Sequence, residues 1–357
     1  MKNKLFVFVL GLLISCHCYS QTNVNQEVMY AHYINVGQAD ATLLEFPCGV
    51  ILIDAGAQDD RYAEKLISYL EAFFKKREDL EKTIDLIVVT HAHIDHNSAL
   101  KQVMTHFKVK SYIDNGLRNG SGRHAQKWAQ DNHQQMDMKY ASYSYDDIVK
   151  NNNKKGITNA LIDPIACDSV DPKITLLTGA FMDKPTNWTN GDYKNGNNHS
   201  VLVRIDFGKS SFLFTGDMED SALETVINHY GNSALGMLDT DIYQAGHHGS
   251  KNATIPELVE AMTPYASVIS CGVWNSGLGG TSKFNTYNYG HPSKQTIVTL
   301  EPETATKRSK PVTVKVGLKA RTFVDYTIMK RIYATPWDNT VKVRATIEGA
   351  YRITRNH

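Results

Sequence analysis

The hydrophobic and polar positions change rhythm several times along the chain. Met29–Val36, Ala41–Glu45 and Val50–Asp54 are short apolar stretches separated by Gly37-Gln38 and Pro47-Cys48-Gly49. Those separators are turn formers, so the pattern predicts three strands. In Arg61–Phe74 the apolar residues Leu66, Ile67, Leu70, Phe73 and Phe74 recur on one helical face, which predicts a helix. Leu86–Thr90 is a continuous apolar run, as expected of a strand buried on both faces. Ser98–Phe107 reads as a second helix.

Residues 111–197 break this rhythm. They are rich in Asn, Asp, Lys and Gly, as in Asn151-Asn152-Asn153-Lys154-Lys155 and Asn195-Gly196-Asn197-Asn198. The segment reads as a polar insertion of long loops with one or two short helices, Gly122–Met136 being one candidate. Such an insertion is either a binding lid or a tolerated surface excursion. Strands resume at Val201–Phe207, Ser211–Thr215, Ile242–Ala245 and Ala266–Ser270, with helices at Ser221–Tyr230, Ile255–Met262 and Ser293–Leu300. A Gly-rich loop, Ser276–Ser282, precedes the last helix, and Val312–Thr354 alternates as antiparallel strands do. Neither an internal repeat nor an interdomain linker is visible, so residues 21–357 read as one α/β domain. A four-layer αββα sandwich fits this order of elements, although periodicity alone does not select it.

The N-terminus changes the picture. Met1-Lys2-Asn3-Lys4 is a basic start and Leu5–Ile14 an apolar run too short to span a bilayer. Together they read as a signal peptide, residues 1–20, and imply an exported protein, periplasmic or secreted. Two processing routes compete. Cleavage after Ser20 would leave Gln21 first and is slightly preferred. Leu13-Ile14-Ser15-Cys16 resembles a lipobox and would leave a lipid anchor on Cys16. No later segment is long and apolar enough for a membrane span.

Charge excludes little but one thing. The 38 basic and 37 acidic residues give a net charge of +1, without the basic excess that a tight duplex-DNA binder shows. The runs Lys75-Lys76-Arg77 and Lys307-Arg308 read as solvated surface. Beyond the targeting segment, Cys48, Cys167 and Cys271 have no metal-type spacing. Buried free thiols are the expectation, with one disulfide as the alternative.

The chemistry concentrates at Thr90-His91-Ala92-His93-Ile94-Asp95-His96. An apolar strand ends there and a helix begins, and His91 and His93, two apart, point the same way in extended backbone. Asp95 and His96 follow in the turn. Imidazole and carboxylate together suit zinc, manganese or iron. Further ligand types stand at later strand ends: His199, Asp217, and His247 with His248. Singly, His199 is a loop histidine, Asp217 a helix cap and His247 a core hydrogen-bonding group. Jointly they point to a metal site, because strand ends are where α/β proteins build sites.

These segments resemble the metallo-β-lactamase superfamily, and within it the ComEC-like branch. The matching stretches are Ile34–Ala41, Leu52–Gly56, the His91–His96 motif, Leu213–Asp217, His247-His248-Gly249-Ser250, Tyr289–Ser293, Ile332–Thr335 and Trp337–Val341. The resemblance implies a four-layer αββα hydrolase domain with two divalent ions, zinc as the first expectation and manganese as the second. It implies that His91, His93 and His199 bind one ion, that Asp95, His96 and His247 bind the other, and that Asp217 bridges them. A water between two such cations loses its proton near neutral pH and becomes the nucleophile. Asp95, His248 and His291 are the expected catalytic groups. Asp40 and Asp54 would orient ligands, and Ser250 and Tyr289 would touch substrate. Many relatives carry Asn and Ser without His before the strand at Val201, so His199 predicts a more complete first metal site here.

The expected substrate is a small phosphodiester or single-stranded nucleic acid, cleaved as by a phosphodiesterase or nuclease. The alternatives are another hydrolase on the same fold (lactamase, lactonase or phosphorylcholine esterase) and a non-catalytic DNA-uptake accessory protein.

Overall fold

The structure, a computed structural model, describes residues 27–231, 233–275 and 285–355. The signal peptide, its two processing sites and the Gly-rich loop Ser276–Ser282 lie outside the described residues.

Two sheets carry the domain. The first has eight strands in the order Tyr351–Arg355, Val341–Thr346, Val28–Tyr33, Thr42–Glu45, Val50–Ile53, Leu86–Val88, Ser111–Asp114, Lys139–Ser142. The second has six: Ile332–Ala334, Ala266–Ile269, Ile242–Gln244, Ser210–Phe214, Leu202–Phe207, Lys173–Thr178. Their facing surfaces bury Tyr33, Phe46, Phe207, Phe212 and Phe214 in one core, with Tyr33 stacked on Phe214 at 6.3 Å. Outside the first sheet, a second core packs Leu66, Leu70 and Phe74 of helix Asp60–Phe74 with Leu100 and Val103 of helix Leu100–His106. Outside the second sheet, a third core gathers Leu223, Leu258 and Ile297 from helices Asp220–Tyr230, Pro256–Met262 and Lys294–Glu303. Three cores between four layers make the αββα sandwich.

Local chemistry sets the ends of these elements. Asp59 caps helix Asp60–Phe74 by accepting from the N–H groups of Arg61 and Tyr62, an arrangement worth about 1 kcal/mol. The expected helix at Ser98–Phe107 begins instead as a four-residue turn, Ile94–Asn97, and restarts at Leu100. That early turn is what lifts Asp95 and His96 toward the strand ends.

The reading of 111–197 as an insertion is corrected. This stretch supplies two strands of the first sheet, Ser111–Asp114 and Lys139–Ser142, and the edge strand Lys173–Thr178 of the second. The strands are short, and Lys139–Ser142, an edge, buries none of its four residues, so the hydrophobic rhythm that announces a strand is missing from that one. The candidate helix there runs Arg123–Asn132. The tail also differs in part: Ile332–Ala334 runs parallel to Ala266–Ile269, while Lys307–Lys319 and Thr322–Lys330 form the expected antiparallel hairpin.

Two further expectations change. Cys48 and Cys167 form a disulfide with 5.5 Å between Cα atoms, leaving Cys271 as a buried thiol. It ties the turn after Thr42–Glu45 to the irregular segment before Lys173, and no pattern of spacing announces that contact. Arg308 is buried rather than solvated. Its guanidinium pairs with Asp338 at 2.7 Å and lies 4.4 Å from the Tyr333 ring. No helix among the described residues is long and apolar enough to cross a membrane.

Candidate metal centre

The parallel strands of the two sheets end at one edge of the sandwich. Thr90–His96 follows Leu86–Val88, Asp217 follows Ser210–Phe214, His247-His248 follows Ile242–Gln244, and Ser270 follows Ala266–Ile269. The first turn is cradled by backbone: Asp40 N–H donates to the Asp95 carbonyl at 2.9 Å and Ala55 N–H to the His96 carbonyl at 2.8 Å. Gly56 permits that approach, because a Cβ there would lie 1.6 Å from the Asp95 carbonyl oxygen. This is the physical content of the Asp54-Ala55-Gly56 segment.

Hydrogen-bond polarity then sorts the histidines. His96 Nδ1–H donates to Asp54 Oδ2 at 2.7 Å, since a carboxylate only accepts. The Thr90 hydroxyl donates to the same oxygen at 2.9 Å. Its single proton is thereby used, so its oxygen accepts from His91 Nδ1–H at 3.2 Å. His248 Nδ1–H donates to the Ser270 carbonyl at 2.9 Å. Three rings are thus held with a proton on Nδ1, and each turns its Nε2 toward the same place.

That place is centred on Asp217. His96 Nε2 stands 3.1 Å from Asp217 Oδ1 without hydrogen-bond alignment, and both atoms are buried and otherwise unpartnered. Asp217 Oδ2 is 3.9 Å from His91 Nε2, 3.8 Å from His247 Nε2 and 3.8 Å from His248 Nε2. Asp95 Oδ2 accepts from His248 Nε2–H at 3.1 Å. Lone pairs facing carboxylate oxygens in a dry site require positive charge between them. Protons are one source. Burial alone would lower the His96 imidazole, but Asp217 and Asp54 outweigh it and hold it well above the usual histidine range. Burial likewise opposes His248, and Asp217 with Asp95 raises it to about 9. Metal cations are the other source, and the donor set fits them: neutral imidazole nitrogens, two carboxylates, and second partners that fix each ring. His91, which burial and the neighbouring His96 and His93 keep well below the usual range, is already in the neutral form a cation needs.

The expected residues divide into those gathered here and those that are not. His91, His93, Asp95, His96, Asp217 and His247 come together, with His93 in edge contact with His91 at 4.6 Å between ring centres. Four groups within 4.8 Å of one another are Asp40, His96, Asp217 and His248. His248, expected at substrate, therefore joins the ligand cluster. Asp40 lies behind it, 3.6 Å from Nδ1, and accepts from the Gln244 amide. Burial pushes its carboxyl up to about 6.

His199 is a correction. Its Nδ1 accepts from the Phe181 N–H at 3.2 Å, and its Nε2–H donates to the Tyr193 carbonyl at 2.7 Å. Both nitrogens are spent on backbone within a cage of Phe181, Trp188 and Tyr193, so this ring offers a cation nothing. Ser250 is a second correction. Its hydroxyl donates to Asn252 Oδ1 at 2.6 Å, and it does not line the pocket. Asn197 and Glu219 belong to the site without being singled out by the sequence. Glu219 accepts from the Asn197 amide at 2.8 Å and stands 3.4 Å from His247 Nδ1. The spacing Asp217-x-Glu219 at a strand end is the signal that could have found the carboxylate.

A pocket of about 390 Å³ opens above the cluster, lined among others by His93, Asp95, Asp217, His247 and His291. Half-exposed Ile94 and Tyr289 stand at its rim, and Tyr289 stacks on His291 at 5.7 Å. Ser121 and Asn197, at the two ends of the polar stretch, complete the wall.

The family model of the metallo-beta-lactamase superfamily matches residues 34–273. ComE operon protein 3 of Bacillus subtilis (strain 168) is 23% identical over 284 residues, which are 75% of this chain and 30% of that protein. Recombination protein 2 of Haemophilus influenzae is 37% identical over 79 residues, 22% of this chain and 9% of that protein. The chain thus spans less than a third of the length of either relative. Among solved structures, CmlA, a diiron beta-hydroxylase from Streptomyces venezuelae, aligns at 16% identity over 78% of this chain and 51% of its own, with a TM-score of 0.44. Since the matched region holds every residue of the cluster around Asp217, the chain belongs to the metallo-beta-lactamase superfamily, in its ComEC-like branch.

Proposed function

We propose that this protein is an exported, metal-dependent phosphodiesterase acting on small phosphodiesters or single-stranded nucleic acid. The observation that carries the reading is the convergence of the His91, His96 and His248 Nε2 atoms on Asp217 beneath an open pocket. Two divalent ions, zinc before manganese, would be held by His91 and His93 on one side and by Asp95, His96 and His248 or His247 on the other, with Asp217 between. Bound there, they supply an activated water and neutralise charge on a phosphoryl group. The chain's own groups do the rest. Asp54 and the Ser270 carbonyl fix the ligand rings, His291 stands over the pocket to donate to a leaving oxygen, and Tyr289 and Ile94 offer an apolar rim for a base or sugar. Near-zero net charge favours short or single-stranded substrates over duplex. Export is part of the proposal. It is supported by the N-terminal sequence and by the Cys48–Cys167 disulfide, a bond that persists in oxidising compartments.

The test compares zinc- or manganese-loaded wild type with His93→Ala and Asp217→Ala on bis(p-nitrophenyl) phosphate, single-stranded DNA and nitrocefin, beside elemental analysis. We expect about two ions per wild-type chain, turnover of the phosphodiesters, and loss of both metal and turnover in Asp217→Ala. Turnover of nitrocefin alone, lost in His93→Ala, would move the answer to a lactamase.

A further inference from the structure

We infer that Gln38 is a positioning residue that sets the polarity of His291, so that its neutral ring presents Nε2–H to the pocket rather than a lone pair. The chain of hydrogen bonds has only one consistent direction. The Gly272 backbone N–H, which can only donate, points to Gln38 Oε1 at 3.3 Å, and the Thr286 hydroxyl donates to the same oxygen at 2.8 Å. The amide orientation is thereby fixed, with oxygen toward Gly272 and nitrogen toward His291. Gln38 Nε2–H donates to His291 Nδ1 at 3.1 Å, so Nδ1 is the acceptor and a neutral ring carries its proton on Nε2. Gln38 is itself anchored: it is 1% exposed, and its backbone N–H donates to Gln58 Oε1 at 2.9 Å.

This is the reverse of His91, His96 and His248, whose Nδ1–H groups are held by Thr90, Asp54 and Ser270. The ring of His291 lies 5.5 Å from that of His247 and 6.3 Å from that of His248. Among these four rings, the difference between a ligand and a substrate donor is written by the partner of Nδ1. A ring with Nε2–H gives a cation no lone pair and gives a substrate oxygen a hydrogen bond. The polarity of the ring stands on the hydrogen bonds alone, while its use on a phosphodiester oxygen rests on the hydrolase reading above.

The experiment uses the full mature chain labelled with ¹⁵N-histidine. The His291 ring signals are identified by their absence in His291→Ala, and the state of Nδ1 is read in wild type and in Gln38→Glu. The Glu side chain keeps an oxygen for Gly272 and Thr286 and replaces the donor beside His291 with an acceptor. We expect an unprotonated Nδ1 in wild type and a protonated Nδ1 in Gln38→Glu. A protonated Nδ1 in wild type, or no difference between the two proteins, overturns the inference whether or not any substrate is turned over. With a phosphodiester in hand, Gln38→Glu and His291→Ala should each lower kcat by roughly 10²-fold, and the double variant should lose no more than His291→Ala alone. Additive losses would mean that Gln38 acts elsewhere than through His291. Absence of all phosphodiester turnover in wild type would count against the hydrolase reading, while the state of Nδ1 would still decide the role of Gln38.

Discussion

Two turns face each other across Asp217 and hold their histidines by opposite means. In the turn from Thr90 to His96 the backbone is ordinary. His93 has φ −96° and ψ 152°, and His96 sits in a right-handed helical turn. Its precision comes from a side chain outside the turn, Asp54, which accepts from Thr90 and His96 together. In the turn from His247 to Gly249 the backbone itself is unusual. His247 and His248 have φ of 48° and 53°, a region that costs a residue with a Cβ about 1–2 kcal/mol. Here His248 is anchored on a backbone carbonyl, that of Ser270. One half of the site is thus tuned by a replaceable carboxylate. The other half is set by strained main chain that its neighbours hold in place: Gly216 accepts from the His247 N–H at 3.1 Å, and Gly249 accepts from the Ser293 N–H at 2.8 Å.

The largest effect on metal binding should come from removing the carboxylate. Asp54 has φ 57°, which Asn tolerates, so Asp54→Asn changes charge with little change of shape. The amide oxygen still accepts from the Thr90 N–H, but the carboxylate that held His96 Nδ1–H is gone. Metal affinity, measured by competition with a chromogenic chelator, should fall by about 10- to 100-fold. Unchanged affinity would mean that the first turn does not depend on Asp54, and the contrast between the turns would fail.

A second experiment asks whether the first half of the site reaches as far as His199. His199→Ala leaves the Phe181 N–H and the Tyr193 carbonyl without their partner inside a buried cage. Stability to urea should fall by about 2–4 kcal/mol, while the metal content of the folded protein stays at the wild-type level. Loss of one ion without loss of stability would restore His199 as a ligand.

His199 also shows where sequence reading stops. The His91–His96 motif is legible because four ligand types crowd one strand end, and the strand itself announces its burial by an unbroken apolar run. Asp54 and Asp217 are legible for the same reason, each closing an apolar strand. His199 looks equivalent, because its place just before a strand is equivalent. What separates it is a Tyr193 carbonyl six residues back and a Phe181 amide eighteen residues back, contacts that no periodicity encodes. Lys139–Ser142 is hidden by its composition, since an edge strand facing solvent needs few apolar residues, whereas Ser111–Asp114 and Lys173–Thr178 are buried but short. The entry of His248 into the ligand cluster is hidden in φ. With two adjacent left-handed residues both rings reach Asp217, and nothing in His-His-Gly-Ser reveals that the second joins the first.

The smallest effect is the one that separates the two turns most sharply, because it has opposite signs. At His93 the backbone is extended, and glycine there adds only freedom to the unfolded chain, so His93→Gly should be less stable than His93→Ala by about 0.4–1 kcal/mol. At His247 the φ of 48° favours glycine, which occupies that region without the Cβ clash that alanine suffers. His247→Gly should therefore be more stable than His247→Ala by about 1 kcal/mol, the clash outweighing the entropy. Both pairs remove the same imidazole, so ring contacts and metal binding cancel within each comparison when unfolding is measured with chelator present. What remains is main-chain conformation alone. Equal signs at the two positions would show that the turn at His247 relaxes to an ordinary backbone once its ring is gone. The strain would then belong to the histidine contacts with Asp217 and Glu219 rather than to the Gly246–Ser250 backbone.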